Sequence, residues 1–345
     1  MFSDPTNWAR RRRRWRPKVA ELGRRGEFEL INEVFAPLAR GHKLAFGLTD
    51  DAALLRPRPG SDLVLTKDAL VADVHFPAHE APDLVARKLL RVNLSDLAAM
   101  GAEPVGYLLA LAVPPELGEG WFEAFAAGLA RDQEEFGLAL LGGDMVATPG
   151  ILTLTLTALG EVDEGQALRR NGACEGDLVY LSGSVGDAAL GLLVSKGELA
   201  ELDREAANAL LDRYRLPRPR LKLGRALGGL VSAATDVSDG LVADLEHICW
   251  ASGVAAVIEA TRLPLSSAAE AALVLDPALR PQLLAGDDYE ILATVAPAGE
   301  AAAVAAAAAT NVAFTRVGEI RAGGGVTLLD GDGRIVEATA GYRHF

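Results

Sequence analysis

The sequence predicts an α+β fold in two domains, with helices placed between strands. The chain has 345 residues, half of them hydrophobic, so it can bury a core large enough to divide into two domains. Some segments repeat apolar residues at helical spacing, whereas others are short apolar runs typical of strands. A polar stretch at residues 163–176 contains three glycines and predicts the boundary between the halves.

The chain is predicted to divide into a basic arm at residues 1–25, an N-terminal domain at residues 26–162 and a C-terminal α/β domain at residues 163–345. The arm has nine Lys or Arg residues against two Asp or Glu. It shows no apolar face at helical or strand period, so we expect it to be mobile. An arginine run of this kind can bind nucleic acid or a membrane surface, or it can be a dispensable extension, which we favour.

The predicted elements of the first half alternate along the chain. They are a helix at 26–38, strands at 62–66 and 71–76, a helix at 82–100, a strand at 105–113, a helix at 121–136 and strands at 139–141 and 151–159. The helix at 82–100 is predicted from Pro82 at its start, apolar residues at helical spacing and Gly101 at its end.

The second half is predicted to begin with a strand at 178–181. The elements after it are helices at 188–195, 205–214, 218–230 and 242–251, a strand ending at Val295, an Ala-rich helix at 297–309, and short strands around Val317 and Leu328. The loop Ser182–Asp187 looks like a phosphate-binding turn, but it lacks the Lys of a P-loop and the glycine spacing of a dinucleotide fingerprint. We therefore interpret it as mainly structural.

Beyond the arm the chain is strongly acidic, with 25 Lys or Arg against 45 Asp or Glu. Such a surface repels nucleic acid and anionic lipid, so we expect neither as a partner, and a phosphorylated ligand would need divalent metal. No apolar run approaches the ~20 residues of a membrane-spanning helix, and no secretory signal follows the basic residues. Cys174 and Cys249 lack metal-like spacing. We expect a cytoplasmic protein with structural cysteines.

Asp96 interrupts the apolar pattern of the helix at 82–100 and is therefore expected to be partly buried. A buried carboxylate needs hydrogen bonds, a cation or a shifted pKa. Taken alone, Asp96 is more readily explained as a cap for a neighbouring loop than as a metal ligand. Similar carboxylates recur beside Gly or Ser at the ends of apolar elements: Asp50, Asp51, Asp68, Asp144, Asp236 and Asp239. Oxygen ligands in this number favour Mg²⁺, and no His/Cys set indicates zinc.

These acidic turns, in this order, resemble the thiamine-monophosphate kinase family, within the superfamily that includes aminoimidazole ribonucleotide synthetase. The resemblance covers residues 26–345. Its motifs are Gly26-Glu27-Phe28, Asp50-Asp51-Ala52, Asp68-Ala69-Leu70-Val71 through His75-Phe76, Asn93 to Gly101, Gly142-Gly143-Asp144, Asp236 to Leu241, Gly286 to Glu290, and His344-Phe345.

The resemblance implies a two-domain aminoimidazole ribonucleotide synthetase-like fold, with a ferredoxin-like N-terminal sheet domain and a C-terminal α/β domain. It also implies a homodimer joined through the N-terminal sheets and ATP bound between the domains. The implied reaction is ATP-dependent phosphorylation of thiamine monophosphate to thiamine diphosphate, by direct in-line transfer at several Mg²⁺ ions. Because phosphoryl transfer mainly needs positioning and charge neutralisation, we assign no side-chain base.

Carried over by position, the resemblance implies three sets of site residues. The metal ligands are Asp51, Thr66, Asp68, Asp96, Asp144, Asp236 and Asp239. The ATP contacts are Phe136, Gly143, Asp144, Arg170 and Ser238. The thiamine phosphate lies near His75, Asp287 and Thr339.

Four positions depart from the family pattern. Lys67 replaces a hydroxyl that helps to bind magnesium, and its ammonium can instead touch a phosphate. Asp73 replaces a Gly and Met145 a Thr. Thr339 stands where a Trp packs on the thiamine ring, and the loss of such an aromatic face costs about 0.5 to 1.5 kcal/mol of binding.

Two other interpretations remain open. Another ATP-using member of the superfamily is the nearer one, although a selenophosphate synthetase would need a reactive Cys or selenocysteine near the N-terminus, and a hydrogenase-maturation relative a terminal Cys. The other is a non-catalytic nucleotide-binding protein, in which Lys67 and Thr339 would mark lost activity. Retention of every acidic turn argues against it.

Overall fold

The computed structural model describes residues 25–39 and 41–336. The predicted arm up to residue 24, Arg40 and residues 337–345, which include Thr339, lie outside the described residues. Arg25 was assigned to the arm, but its backbone N–H donates to Glu119 (2.6 Å) and its guanidinium pairs with Glu33, Glu119 and Glu123. Arg25 therefore contacts the folded part of the chain.

The first sheet has four strands in the order β1-β4-β2-β3. They are β1 (Ser61–Val71), β2 (Glu103–Val113), β3 (Ala139–Ala147) and β4 (Thr153–Asp163). The β2–β3 pair is parallel and the other neighbours are antiparallel. The helical segments of this half are α1 (Glu27–Leu30), a π turn (Ile31–Phe35), 3-10 turns (Ala36–Ala39 and Lys43–Leu48), α2 (Pro82–Ala99) and α3 (Glu119–Phe136).

The second sheet has seven strands in the order β11-β10-β7-β9-β5-β8-β6. They are β5 (Leu178–Ser182), β6 (Ala233–Asp236), β7 (Ala255–Glu259), β8 (Ile291–Val295), β9 (Phe314–Arg321), β10 (Gly325–Leu329) and β11 (Ile335–Val336). The helices are α4 (Asp187–Ser195), α5 (Arg204–Arg215), α6 (Leu221–Ala226), α7 (Leu241–Ser252), α8 (Ser267–Leu275) and α9 (Glu300–Ala309). Short 3-10 turns occur at Ala260–Arg262, Pro277–Ala285 and Pro297–Gly299.

The α+β class is confirmed, but two strand predictions in the first half are wrong. Residues 71–76 form a turn, because Asp73 adopts φ 61° and its N–H donates to the carbonyl of Phe76 (2.7 Å). This left-handed backbone explains why Gly suits the position. The strand predicted at 139–141 continues to Ala147, so Gly142-Gly143-Asp144 lies inside β3 and pairs with β2.

One helix prediction in the second half also differs from the structure, and other elements of this half were not predicted. The helix predicted at 218–230 is limited to α6, because the chain turns after Ala226 and Gly229 adopts φ 70°. Strand β7 and helix α8 were not predicted. Among the described residues, no helix has both the length and the apolar content needed to cross a bilayer.

Helix α2 is the element shared by the two halves. Its buried Leu89, Leu94 and Leu97 belong to a core cluster that also contains Leu154 of β4 and Ile291 of β8. The contact with α6 is close: a Cβ on Gly224 would lie 1.9 Å from the carbonyl oxygen of Ala98. Both sheets therefore place residues around the C-terminal part of α2.

Candidate active site

Two adjacent residues of α2 connect the sheets through hydroxyl–carboxylate hydrogen bonds. Asp96 accepts a short hydrogen bond from the hydroxyl of Thr66 on β1. The hydroxyl of Ser95 donates to Oδ2 of Asp236 (2.7 Å), the last residue of β6. Asp236 is 2 % exposed and Ser95 is 1 % exposed. The helix thus brings carboxylates of α2 and β6 and a hydroxyl of β1 into one buried region.

The surroundings of these carboxylates disfavour their ionised form. Burial, with the nearby charge of Asp96, raises the pKa of Asp68 to about 7. Burial and the charge of Asp96 likewise raise the pKa of Asp236 to about 8. For Asp96 itself burial raises the pKa, while the Thr66 hydrogen bond and the charge of Arg170 act in the opposite direction. We call Asp68, Asp96 and Asp236 the central acidic cluster.

An open cleft adjoins the central acidic cluster. It has a volume of about 650 Å³ and is lined by residues of both halves, including Thr66, Asp96, Arg170, Asp236 and Trp250. Arg170 Nε donates to Oγ1 of Thr235 (3.1 Å), which holds its guanidinium at the cleft wall. The cleft can therefore admit a ligand with several phosphates beside the acids.

The turn between β6 and α7 carries Ser238 and Asp239. The backbone N–H groups of both residues donate to Oδ2 of Asp244 (2.9 Å each). Burial and the nearby charge of Asp239 raise the pKa of Asp244 to about 6, against these two hydrogen bonds. Gly240 closes the turn at φ 115°, where an added Cβ would lie 2.5 Å from the carbonyl oxygen of Leu284. The turn is thus fixed by the first residues of α7.

Asp51, Gly143 and Asp144 line a second cleft, together with Asp50 and Met145. Asp51 and Asp144 are exposed. The absence of a side chain at Gly143 has a structural cause, because an added Cβ would lie 2.0 Å from the carbonyl oxygen of Leu109 on β2. The structure therefore places these three residues together, but apart from the lining of the first cleft.

Two of the residues implied for the substrate have internal partners. The Nδ1 atom of His75 accepts a hydrogen bond from the N–H of Val71 (3.0 Å), which orients its ring. Oδ2 of Asp287 lies 3.4 Å from Nζ of Lys88, and that ammonium lies 4.0 Å from the centroid of the Tyr214 ring. Lys88 is buried within α2, so an intramolecular cation already faces Asp287.

Phe136, implied as an ATP contact, packs against Arg91, whose Cζ lies 5.1 Å from the centroid of its ring. Arg91 also pairs with buried Asp132 (2.7 Å), which joins α2 to α3. The ring of Phe136 therefore already has an intramolecular cation beside it. Thr339 lies outside the described residues.

The phosphate-like turn after β5 is occupied by the chain's own carboxylate. The N–H groups of Gly186 and Ala188 donate to the two oxygens of Asp288 (2.7 and 3.0 Å). Next to it, buried Glu290 accepts from Arg213 (2.8 Å) and from Arg220 (2.6 Å). The interpretation of this turn as structural agrees with these contacts.

Sequence reasoning assigned no individual role to several residues of the region, namely Lys88, Ser95, Asp244, His247, Tyr289 and Glu290. A usable signal existed for two of them. Lys88 and Ser95 lie seven positions apart in α2, so they share one face of the helix. The pKa of Tyr289 is raised by burial and by the nearby Asp287, Asp68 and Asp236, a proximity that sequence spacing could not reveal.

The donor set suits a hard divalent cation. Carboxylate and hydroxyl oxygens are the ligands that Mg²⁺ takes, usually with substrate phosphates and water completing its shell. A nearby cation would also offset the burial and the repulsion by Asp96 that together raise the pKa values of Asp68 and Asp236. Asp51, Thr66, Asp68, Asp96, Asp144, Asp236 and Asp239 are therefore chemically competent to hold such ions.

Family models match most of the chain. The model described as AIR synthase related protein, N-terminal domain, matches residues 49–162, and the corresponding C-terminal domain model matches residues 175–331. A thiamine-monophosphate kinase of Caulobacter vibrioides is 46% identical over 322 residues, which cover 92% of this chain and 90% of the relative.

Solved structures give similar results. The crystal structure of thiamine-monophosphate kinase from Stenotrophomonas maltophilia K279a has a TM-score of 0.78 and 41% identity, and the match covers 88% of this chain and 97% of that one. A structure described as AaThiL complexed with AMPPCP and TMP has a TM-score of 0.73 and 29% identity, and the match covers 95% of this chain and 100% of that one.

Proposed function

This chain belongs to the AIR synthase related family and, within it, to the thiamine-monophosphate kinases, and from that premise we propose how its residues carry out the reaction. The chain is an enzyme that phosphorylates thiamine monophosphate with ATP as co-substrate. The remaining proposals concern the metal, the residues, the assembly and the domains that this activity uses.

The observation that carries the proposal is the convergence of Asp68, Asp96 and Asp236 from β1, α2 and β6 beside one open cleft. We propose that these acids hold Mg²⁺ together with Thr66, Asp51, Asp144 and Asp239. Bound Mg²⁺ would neutralise the phosphate oxygens and the charge that develops during transfer. Ser95 donates to Asp236 (2.7 Å) and fixes the direction of its carboxylate.

The nucleotide is proposed to lie in the cleft beside the central acidic cluster and to contact residues of the second cleft. Arg170 is restrained by Thr235 at the cleft wall, where its guanidinium can bind phosphate oxygens in two-point contact. Ser238 lies in the turn before α7, and we propose that its side chain contacts the phosphates, because the backbone N–H groups of Ser238 and Asp239 already donate to Asp244. Gly143 and Asp144 are proposed to contact the nucleotide from the second cleft. Phe136 is proposed to lie near the adenine base of ATP.

Thiamine monophosphate is proposed to bind near His75 and Asp287, with Thr339 at the ring. The acceptor is already a phosphate of low basicity, so no strong base is needed, and we assign none. Its oxygen attacks the γ-phosphorus of ATP, the bond to the β,γ-bridging oxygen breaks, and ADP leaves. Lys88, which pairs with Asp287 at 3.4 Å, holds that carboxylate in place.

The proposed assembly is a cytoplasmic homodimer without nucleic-acid or membrane partners. The first sheet presents exposed apolar side chains on one surface, including Leu65 (63% exposed) and Val146 (49% exposed). Burial of such residues by a second copy would stabilise the pair through the hydrophobic effect. The domains are proposed as residues 26–162, for dimerisation and binding of ATP and magnesium, and residues 163–345.

One assay tests the activity directly. Purified protein with MgATP and thiamine monophosphate is expected to yield equal amounts of ADP and thiamine diphosphate. Asp236→Asn should abolish turnover, whereas Asp332→Asn, a matched change at an exposed aspartate paired with Arg334, should not alter it. Production of ADP without thiamine diphosphate would contradict the assignment.

Stereochemistry tests the direct transfer. ATP with a chiral, isotopically labelled γ-phosphate should give a product with inverted configuration at phosphorus, because a single in-line displacement inverts it. Net retention, or a trapped phosphoenzyme, would indicate an intermediate on the protein and overturn this step.

A further inference from the structure

A compact set of potential metal ligands lies at the start of α7. Among the described residues, Asp239, Asp244 and His247 form the one group of three His, Cys, Asp or Glu side chains whose ligand atoms all lie within 4.8 Å of one another. Asp244 and His247 are one helical turn apart, so they project from the same face of α7. Asp239 reaches them from the preceding turn.

The buried carboxylate of Asp244 is only half satisfied. Its Oδ2 accepts the N–H groups of Ser238 and Asp239 (2.9 Å each). Its Oδ1 has no hydrogen-bond partner among the described residues, although Asp244 is only 1% exposed. An unpartnered buried carboxylate oxygen is costly, and a cation beside it would supply the missing interaction.

The imidazole distinguishes this group from the central acidic cluster. The carboxylates and hydroxyls of that cluster offer oxygen alone, which suits Mg²⁺, whereas a nitrogen ligand favours first-row transition metals. His247 is exposed, so an ion held here would keep positions open to water or to a phosphate oxygen. Three protein ligands with open positions are usual for metals that bind substrates.

We infer that Asp239, Oδ1 of Asp244 and His247 form a binding site for a divalent transition-metal ion of the Mn²⁺ or Zn²⁺ class. The inference deepens the proposed function in one respect, because Asp239 is shared with the proposed magnesium site. The other two ligands of the inferred site, Asp244 and His247, are not part of the proposed magnesium site. The ion would sit at the turn that carries Ser238 and link that turn to α7.

The test detects nitrogen bonded to the metal and does not depend on activity. The full chain is treated with EDTA, dialysed and loaded with Mn²⁺ without nucleotide, and the ¹⁴N coupling of bound Mn²⁺ is measured by pulsed electron paramagnetic resonance. We expect coupling in the parent and in the matched control His79→Asn, since His79 is also exposed. His247→Asn should abolish the coupling. It should also weaken the binding of one equivalent of Mn²⁺ by about tenfold or more.

Two results would overturn the inference: no ¹⁴N coupling in the parent, or coupling that persists in His247→Asn. Asp68→Asn separates this site from the proposed function. That change should abolish kinase activity and leave the ¹⁴N coupling intact. Coupling in a parent protein that makes no thiamine diphosphate would keep the metal site and reject the function, whereas turnover by the parent without coupling would do the reverse.

Discussion

The buried acid Glu290 and the central acidic cluster differ in what neutralises them. Glu290 is 0% exposed and accepts from Arg213, Arg220 and the hydroxyl of Ser182. In the central acidic cluster, Asp96 and Asp236 receive hydroxyl hydrogen bonds from Thr66 and Ser95. Glu290 is therefore paired directly with two arginines. In the central acidic cluster, the charge of Asp96 instead raises the pKa values of Asp68 and Asp236.

This difference separates an acid that supports the fold from acids that support binding. The arginines around Glu290 neutralise its charge within the protein. Removal of the carboxylate or of the arginines leaves a buried charge without a partner. The central acids carry repulsion that a bound cation relieves, so part of the stability of the folded state is given up for the site. Changes to the two groups should therefore have opposite effects on stability and activity.

The largest effect is expected from Glu290→Gln. Loss of the carboxylate would leave Arg213 and Arg220 without their buried anion, and such a change costs about 3 to 5 kcal/mol of stability. Thermal or urea unfolding should show this loss with or without Mg²⁺. Glu259→Gln, at a surface pair with Arg262, is the control and should change stability by less than about 0.5 kcal/mol. If Glu290→Gln is as stable as the parent, Glu290 does not support the fold in the way that distinguishes it from the central acidic cluster.

The second prediction concerns Asp96→Asn in the central acidic cluster. The amide keeps the shape and removes one repelling charge, so the metal-free protein should be as stable as the parent or slightly more stable. Turnover should fall by about 10² to 10³, as for loss of one electrostatic contact to the transition state. At 100 times its Kd, MgATP should stabilise the parent by about 2.7 kcal/mol and the variant by much less. A large loss of stability in EDTA would make Asp96 a structural residue like Glu290.

The third prediction concerns pH. The pKa values of Asp68 and Asp236 are raised to about 7 and about 8, so the folded state binds more protons than the unfolded state between about pH 4 and 8. Metal-free protein should therefore lose stability as pH rises through this window, by up to about 1.4 kcal/mol per pH unit for each group. The difference in Tm between the parent and Asp236→Asn, measured in EDTA from pH 5 to 9, isolates the effect. A difference that does not change with pH would contradict it.

The smallest effect is expected outside both groups. Deletion of residues 2–24 should leave kcat and KM within a few-fold of the full chain, because this segment precedes the matched region that begins at residue 49 and has no apolar periodicity. The deletion stops before Arg25, which contacts Glu119. A loss of activity beyond about tenfold, with the assembly unchanged, would give the arginine run a function.

The sequence predicted elements with strong periodicity and missed those defined by tertiary contacts. Helix α2 was predicted within one residue of its observed end, because its apolar face and its ends are local features. Strand β7 was missed, since a five-residue strand is recognised mainly through its partners β9 and β10. The strand predicted at 71–76 is instead a turn, because the sequence pattern does not reveal the left-handed backbone at Asp73.

Site prediction had the same limit. Acidic turns could be found by residue type and neighbours, which identified Asp68, Asp96 and Asp236. Proximity between distant segments could not be found in this way, so the hydrogen bond from Ser95 to Asp236, 141 residues apart, was missed. The distribution of Asp51 and Asp144 into a second cleft likewise depends on the pairing of β2 with β3.

The contact between Gly224 and Ala98 has a consequence for motion. An added Cβ on Gly224 would lie 1.9 Å from the Ala98 carbonyl oxygen, so α6 and α2 touch backbone to backbone, and α2 is also part of the core of the first sheet. Rotation of one half away from the other would break this close contact between α6 and α2. Protein interiors are packed as densely as crystals, so such a separation is unfavourable. Substrates should therefore enter and products leave through the mouth of the cleft beside Trp250, while the two halves stay together throughout the catalytic cycle.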